Sequence, residues 1–338
     1  MVFDSAGGRH TLIVAATGGG KTTLFNNVAE QATARTDALV WAIDLGKGTV
    51  PTVWAPALDA SAGIEDHTAA VRILTWAATV IRERSKATGG RNHQPSPQAP
   101  VVIVMVDEMD TLIGLSSPVA HKTRPLVEEI FRRGRSAGVL LLAAGQRGVV
   151  QHTGSKDVHA NAGNKIILRV NRAAEMNNLL PEWEYAGMPN MADYARGTRG
   201  IALVVDSENN WRAGRIHDLS DLDAVQHLAH HRGRPAATLE PAIAARLTGY
   251  PERHHVGAGP ARNIPAPRAS DHNPQEGGQP AHRDQGWGVE PGDEDAVARL
   301  ARGLVTEVEA RLADMPTPPE QATSLADMIA AKNAFDHA

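Results

Sequence analysis

The 338-residue sequence has no cysteine. That excludes a disulfide framework, a thiol nucleophile and any cysteine-ligated zinc or iron–sulfur centre, and it suits a reducing cytoplasm. Long apolar runs are missing too. None approaches the roughly 18 residues of a membrane span, and the opening MVFDSAGGRH has no basic stretch leading into an apolar one. No signal peptide and no membrane insertion by this chain are therefore expected, and a cytoplasmic location is. A strong charge of one sign is also absent, the net charge being −4. Residues 236–338 hold 9 Lys+Arg against 15 Asp+Glu, which leaves 25 against 23 in residues 1–235. Neither part is basic enough for diffuse nucleic-acid binding, so any DNA contact must come from locally arranged Lys and Arg. No internal repeat is visible.

What the sequence does contain is a series of apolar runs alternating with helical patterns. Strands are expected at 11–16, 38–44, 101–107, 138–144, 165–170 and 200–206, and helices at 21–32, 63–85, 119–136 and 219–230. Most of the strand runs are unbroken Val, Ile, Leu and Ala, as in parallel strands buried on both faces. This order of elements implies βαβ crossovers and an α/β core with a mostly parallel sheet. Residues 89–100 read as a polar surface loop. Trp41, Trp54 and Trp76 fall in or near apolar patterns and read as core. Residues 251–291 contain seven prolines and six glycines, and the expected domain plan is a folded unit at 1–235, a mostly disordered Pro/Gly-rich linker at 236–292 and a helical tail at 293–338. In the tail, Val297, Leu300, Leu304, Val308 and Leu312 recur at helical spacing, an amphipathic face that calls for a protein partner.

Two strings carry chemistry. Ala15-Ala16-Thr17-Gly18-Gly19-Gly20-Lys21-Thr22-Thr23 follows an apolar strand and opens a helix. This is a P-loop arrangement, with Ala15 in place of the usual first glycine. Its glycines let backbone N–H groups turn onto phosphate oxygens, Lys21 should reach the β and γ phosphates of ATP, and Thr22 should ligate Mg2+. Val101 to Val106 then runs into Asp107-Glu108, two carboxylates at the carboxyl end of an apolar strand, where ligands of open α/β sheets bind. Asp107 is expected to hold Mg2+ through water and Glu108 to act as the general base. A further strand ends at Gln146, where an amide would sense the γ-phosphate, and Arg132, Arg133 and Arg135 precede it. Any one of these arginines is either a solvated helix end or a group reaching a neighbouring subunit's site. His227, His230 and His231 read as a polar helix end rather than a metal site.

Together, ATGGGKTT (16–23), VIVMVDEMDTL (102–112), RRGRSAGVLLLAAGQR (132–147) and ANAGNKIILRV (160–170) resemble the motor domain of the FtsK/SpoIIIE family of DNA translocases, and among those the actinobacterial conjugal-transfer translocases. The resemblance spans roughly 11–206. It implies a RecA-like P-loop fold, a ring, expected to be a homo-hexamer, around double-stranded DNA, and ATP hydrolysis coupled to DNA movement in plasmid conjugation or chromosome transfer. By motif position it assigns nucleotide binding to residues 17–23 and Asp107, the base to Glu108, the sensor to Gln146 and the trans-acting arginine to Arg135. Arg147, Lys156, Lys165, Arg169 and Arg172 surround the polar loop 148–161, which is expected to face the pore, with some of these cations touching DNA phosphates. The sequence departs from the family pattern at Gly145 and Gly148, and its P-loop starts about 15 residues from Met1, where long family members carry an anchor and a further subdomain. Two other functions fit the same motifs: a secretion or conjugative coupling ATPase with protein cargo, and a nucleotide-gated adaptor.

Overall fold

The computed structural model describes residues 8–145, 156–195 and 197–253. The chain divides into two units at residue 264, and the second lies wholly outside the described residues.

Eight strands form one sheet in the order β3-β2-β4-β5-β1-β6-β7-β8. They are β1 (Thr11–Val14), β2 (Ala38–Ile43), β3 (Ala60–Ala62), β4 (Val101–Val106), β5 (Val139–Gly145), β6 (Asn164–Ile167), β7 (Ile201–Val205) and β8 (Trp211–Arg215). The first six in spatial order are parallel, and β7 and β8 are antiparallel additions at one edge. Every residue of β1, β2, β4 and β5 is buried, which is why those strings lack a polar face.

Each face of the sheet has its own core. One face packs α1 (Lys21–Thr33), α2 (Thr49–Val53) and α8 (Leu222–Arg232) against Ile13, Val40, Ile103 and Leu142. The other packs α3 (His67–Thr88), α4 (Asp110–Ile113) and α5 (Ala120–Arg133) against Val14, Trp41, Val104 and Leu141. The short helices α6 (Lys156–Asn161), α7 (Ala173–Asn177) and α9 (Pro241–Ala244) complete the described chain. Helix α3 begins at His67 rather than at 63, because Ala60–Ala62 pairs with β2 and the Asp66 carboxylate then caps the helix by accepting from the Ala69 N–H.

All three tryptophans expected in the core are there, and each indole N–H has an acceptor: the Asp59 carboxylate for Trp41, the Asn26 amide oxygen for Trp54 and the Thr248 carbonyl for Trp76. The folded chain continues past the expected boundary at 235. Ala237, Leu239, Ile243, Leu247 and Tyr250 are buried against α3 and its neighbours, so residues 236–253 are a strap on the core and not the start of the linker. The remaining part of the expected linker from 254, and the expected helical tail, lie outside the described residues. Among the described residues, no helix is long and apolar enough to cross a membrane.

Candidate nucleotide site

The site stands at the carboxyl ends of β1 and β4. Strand β1 lies between β5 and β6, while the chain leaving it crosses to β2 on the far side of β4 and β5. A crevice at such a reversal of strand order is where open α/β sheets bind ligands. Leaving β1, the Ala15 N–H donates to the Gly145 carbonyl at 3.3 Å and the Ala16 N–H to the Arg169 carbonyl at 2.8 Å. The chain then turns sharply, the Gly19 N–H donating to the Ala16 carbonyl at 2.9 Å. Gly20 caps α1 with φ of 104°, and a Cβ on it would stand 2.9 Å from the backbone nitrogen of Gly200. Only glycine satisfies both demands. No side chain caps α1, so its first N–H groups are left for another acceptor.

Helix α1 is fixed from behind by two asparagines. Asn26, fully buried, donates to the Leu219 carbonyl and accepts from Trp54, and Asn27 donates to the carbonyls of Thr23 and His217.

Lys21 links the two motifs. Its Nζ donates to the Asp107 carbonyl at 2.8 Å and to Glu108 Oε2 at 3.1 Å, and lies 3.7 Å from Asp107 Oδ2. These three residues, separated by 86 positions in sequence, meet because β4 and β1 flank β5 in parallel. Burial pushes the Asp107 carboxyl up to about 6, against the pull of the Lys21 ammonium; Asp44 and Glu108 add to the rise. Asp107 Oδ1 is buried without a hydrogen-bond partner among the described residues. The donor set fits Mg2+, a hard cation that takes oxygen ligands and usually keeps several waters. Asp107 and Thr22 would hold it and the nucleotide phosphates would complete its shell. No group of three His, Asp or Glu that could bind a metal by itself occurs among the described residues.

Two residues near the site were not singled out from the sequence, and a third was given another role. Asp44 directly follows β2, beside Asp107, and is buried, its carboxylate accepting the N–H groups of Lys47 and Thr49 at 2.9 and 2.8 Å. It repeats the pattern of an apolar strand ending in an acid, the signal that revealed Asp107. Gly200 packs against Gly20, which no local pattern announces. Arg169, expected to face DNA, is instead 7% exposed and forms part of the P-loop wall. Its carbonyl accepts from Ala16 and its guanidinium donates to the Thr17 carbonyl at 3.1 Å. For this residue the expectation does not hold, because the chain just beyond β6, the strand paired with β1, is drawn into the packing around the P-loop. Lys165 is half-buried, which pushes its ammonium pKa down, while Arg172 is exposed. Arg147 and the side chain of Lys156 lie outside the described residues, as does Gln146.

Arg135 is exposed in a short turn (Arg135–Ala137) ahead of β5, with Arg132 and Arg133 in the last turn of α5 before it. Lys21 follows the carboxyl end of the parallel neighbour β1. Seven residues of β5, at about 3.3 Å each, put these arginines and the P-loop at opposite ends of the sheet in one chain.

No protein-family model and no curated protein matches the sequence. Solved structures do. The cytoplasmic domain of the Thermomonospora curvata type VII secretion ATPase EccC superposes with a TM-score of 0.52 at 14% identity, over 70% of this chain and 29% of that one. ATPases 2 and 3 of EssC from Geobacillus thermodenitrificans give 0.51 at 15% identity, over 68% of this chain and 44% of that one. The pCW3 conjugation coupling protein TcpA with ATPγS gives 0.49 at 17% identity, over 67% and 66%. The chain thus spans less than half the length of the first two structures it matches. At these identities the likeness speaks to fold, and the described chain has the α/β fold of the FtsK/SpoIIIE-like ATPase domains, the family that its motifs resemble.

Proposed function

We propose that the protein is an ATP-hydrolysing motor that moves double-stranded DNA, working as a ring, most simply a homo-hexamer, in plasmid conjugation or chromosome transfer. The observation that carries the hydrolytic part is the convergence of Lys21, Asp107 and Glu108 at an uncapped, glycine-lined helix start. In this reading the backbone of Thr17 to Thr23 and the Lys21 ammonium hold the phosphates of ATP, Thr22 and Asp107 hold Mg2+, and Glu108 orients the attacking water once phosphate draws Lys21 away. Arg135, too far from the P-loop of its own chain, acts on the site of the next subunit, and Gln146 senses the γ-phosphate. The DNA part rests on the family resemblance of the motifs. An adaptor that only binds nucleotide would have no use for Glu108 held beside Lys21.

A second reading, a secretion ATPase moving protein cargo, draws on EccC being a type VII secretion ATPase by name. The discriminating experiment measures ATP hydrolysis with and without linear duplex DNA, with Glu108→Gln as control. Turnover stimulated by DNA and reduced by about 10²-fold or more in the variant is the expected result. Hydrolysis indifferent to DNA would refute translocation and leave the cargo reading, and no hydrolysis under either condition would refute the motor.

A further inference from the structure

Arg169 is the one described residue that grips the P-loop with both its backbone and its side chain. It lies two positions beyond β6, its carbonyl accepting the Ala16 N–H at 2.8 Å while its Nη2 donates to the Thr17 carbonyl at 3.1 Å. A Cβ added to Gly19 would meet the same Arg169 carbonyl at 3.1 Å, so the loop is seated directly on this residue. The rest of the guanidinium is poorly served. Nη1 reaches Asn171 Oδ1 at 3.4 Å, Nε is buried with no hydrogen-bond partner, and no carboxylate among the described residues forms an ion pair with it. A buried charge whose partners among the described residues are only carbonyl and amide dipoles is costly. An anion arriving in the cradle a few bonds away lowers that cost.

We propose that Arg169 is a positioning residue of the phosphate cradle: it holds the Thr17 arm of the P-loop in its binding shape, and its charge, without an ion-pair partner among the described residues, makes the loop's grip depend on phosphate. The proposal rests on the nucleotide-binding reading above. The same side chain carries occupancy outward. Asn171, bonded to the guanidinium, also donates its N–H to Glu175 in α7 at 3.5 Å, and the neighbouring Val170 N–H donates to the Met191 carbonyl. Phosphate binding therefore tightens the segment 168–177 as well as the loop.

The test uses the full chain and ATPγS with Mg2+, with binding followed by calorimetry and ligand-free stability by melting. Arg169→Met keeps the bulk and removes both the fork and the charge. It should weaken binding by about tenfold, the loss expected for one charge-assisted hydrogen bond. Its ligand-free melting temperature should hold or rise, because a buried charge with no ion-pair partner among the described residues is gone. Arg169→Lys should recover part of the affinity. Both variants binding ATPγS within about twofold of wild type would overturn the proposal, and a lowered melting temperature with unchanged affinity would reduce Arg169 to a packing residue. Amide exchange on the wild-type protein is an independent measurement if the Met variant fails to fold. ATPγS should slow exchange across 168–171, and unchanged exchange there would overturn the coupling. A wild-type chain that binds no ATPγS removes the nucleotide reading and this inference together, whereas normal binding by both variants removes this inference alone.

Discussion

Asp107 is held against its own charge. Burial pushes its carboxyl up to about 6 from an ordinary value of 3.8, although Lys21 pulls the other way. An acid whose folded pKa lies above its unfolded one takes up a proton on folding between the two values. Stability of the ligand-free protein therefore falls as pH rises from about 4 to 6, and the loss is complete above that window. Asp107→Asn removes the penalty at nearly constant shape. At pH 7.5 the variant should be more stable than wild type by about 2 kcal/mol, read from denaturant midpoints, while its affinity for Mg2+·ATPγS drops about tenfold or more. In the wild type that affinity should weaken as pH is lowered through 6. A variant less stable than wild type, or one with undiminished Mg2+-dependent binding, would contradict the role given to this carboxylate. The Asp107-Glu108 pair and the P-loop were legible because each is a contiguous string whose chemistry needs no tertiary knowledge. Arg169 and Gly200 were not, because their meaning comes from contacts with the P-loop across some 150 to 180 residues of sequence.

At the scale of elements, the unbroken apolar strands and the long helices could be read from their periods, and the structure places them within a few residues of expectation. Among the elements that escaped, three did so for separate reasons. Strand β3 is three residues long, too short for any period, and β8 is WRAGR, exposed throughout, with no apolar face to announce it. The strap at 236–253 does carry apolar residues at helical spacing, Leu239, Ile243 and Leu247, but they follow Gly233 and Pro235 and run into a Pro-rich stretch. What pins the strap is polar as well as apolar. Arg84, 2% exposed, donates to both oxygens of Glu240 at 2.8 Å and to the carbonyls of Pro100, Ala137 and Gly138. Further along, Tyr250 and Arg253 both donate to the buried Asp59, which also accepts from Trp41. Glu240→Gln leaves the Arg84 guanidinium buried without its counter-charge. The expected cost is about 3 kcal/mol of unfolding free energy, measured in denaturant, with nucleotide affinity unchanged because the pair is remote from Lys21. A loss under about 0.5 kcal/mol would place this pair with solvent-screened ones.

For the whole molecule the folded unit does not end at Pro235. The strap closes the face of the sheet that carries Trp41 and Trp76, the Tyr250 ring lying edge-on to both at 6.2 and 5.3 Å between centroids. Five apolar residues of the strap are buried there, and each large one contributes about 1.5–3 kcal/mol by leaving water. Their sum is comparable with the net stability of a typical domain, about 5–15 kcal/mol. A chain ended after Pro235 should therefore unfold or melt far below the full-length protein, and its tryptophan emission should shift to the red as Trp41 and Trp76 meet water. Ended after Arg253, the chain keeps every described contact of the ATPase fold and should retain the full-length melting temperature and basal ATP hydrolysis. Comparing the two also separates the roles of the C-terminal residues. If 254–338 serve as a docking arm, as the helical spacing of Val297 to Leu312 suggests, only partner-dependent functions are lost with them. Loss of basal hydrolysis in a folded chain ended after Arg253 would instead make those residues part of the motor, and equal stability of the two truncated chains would refute the strap.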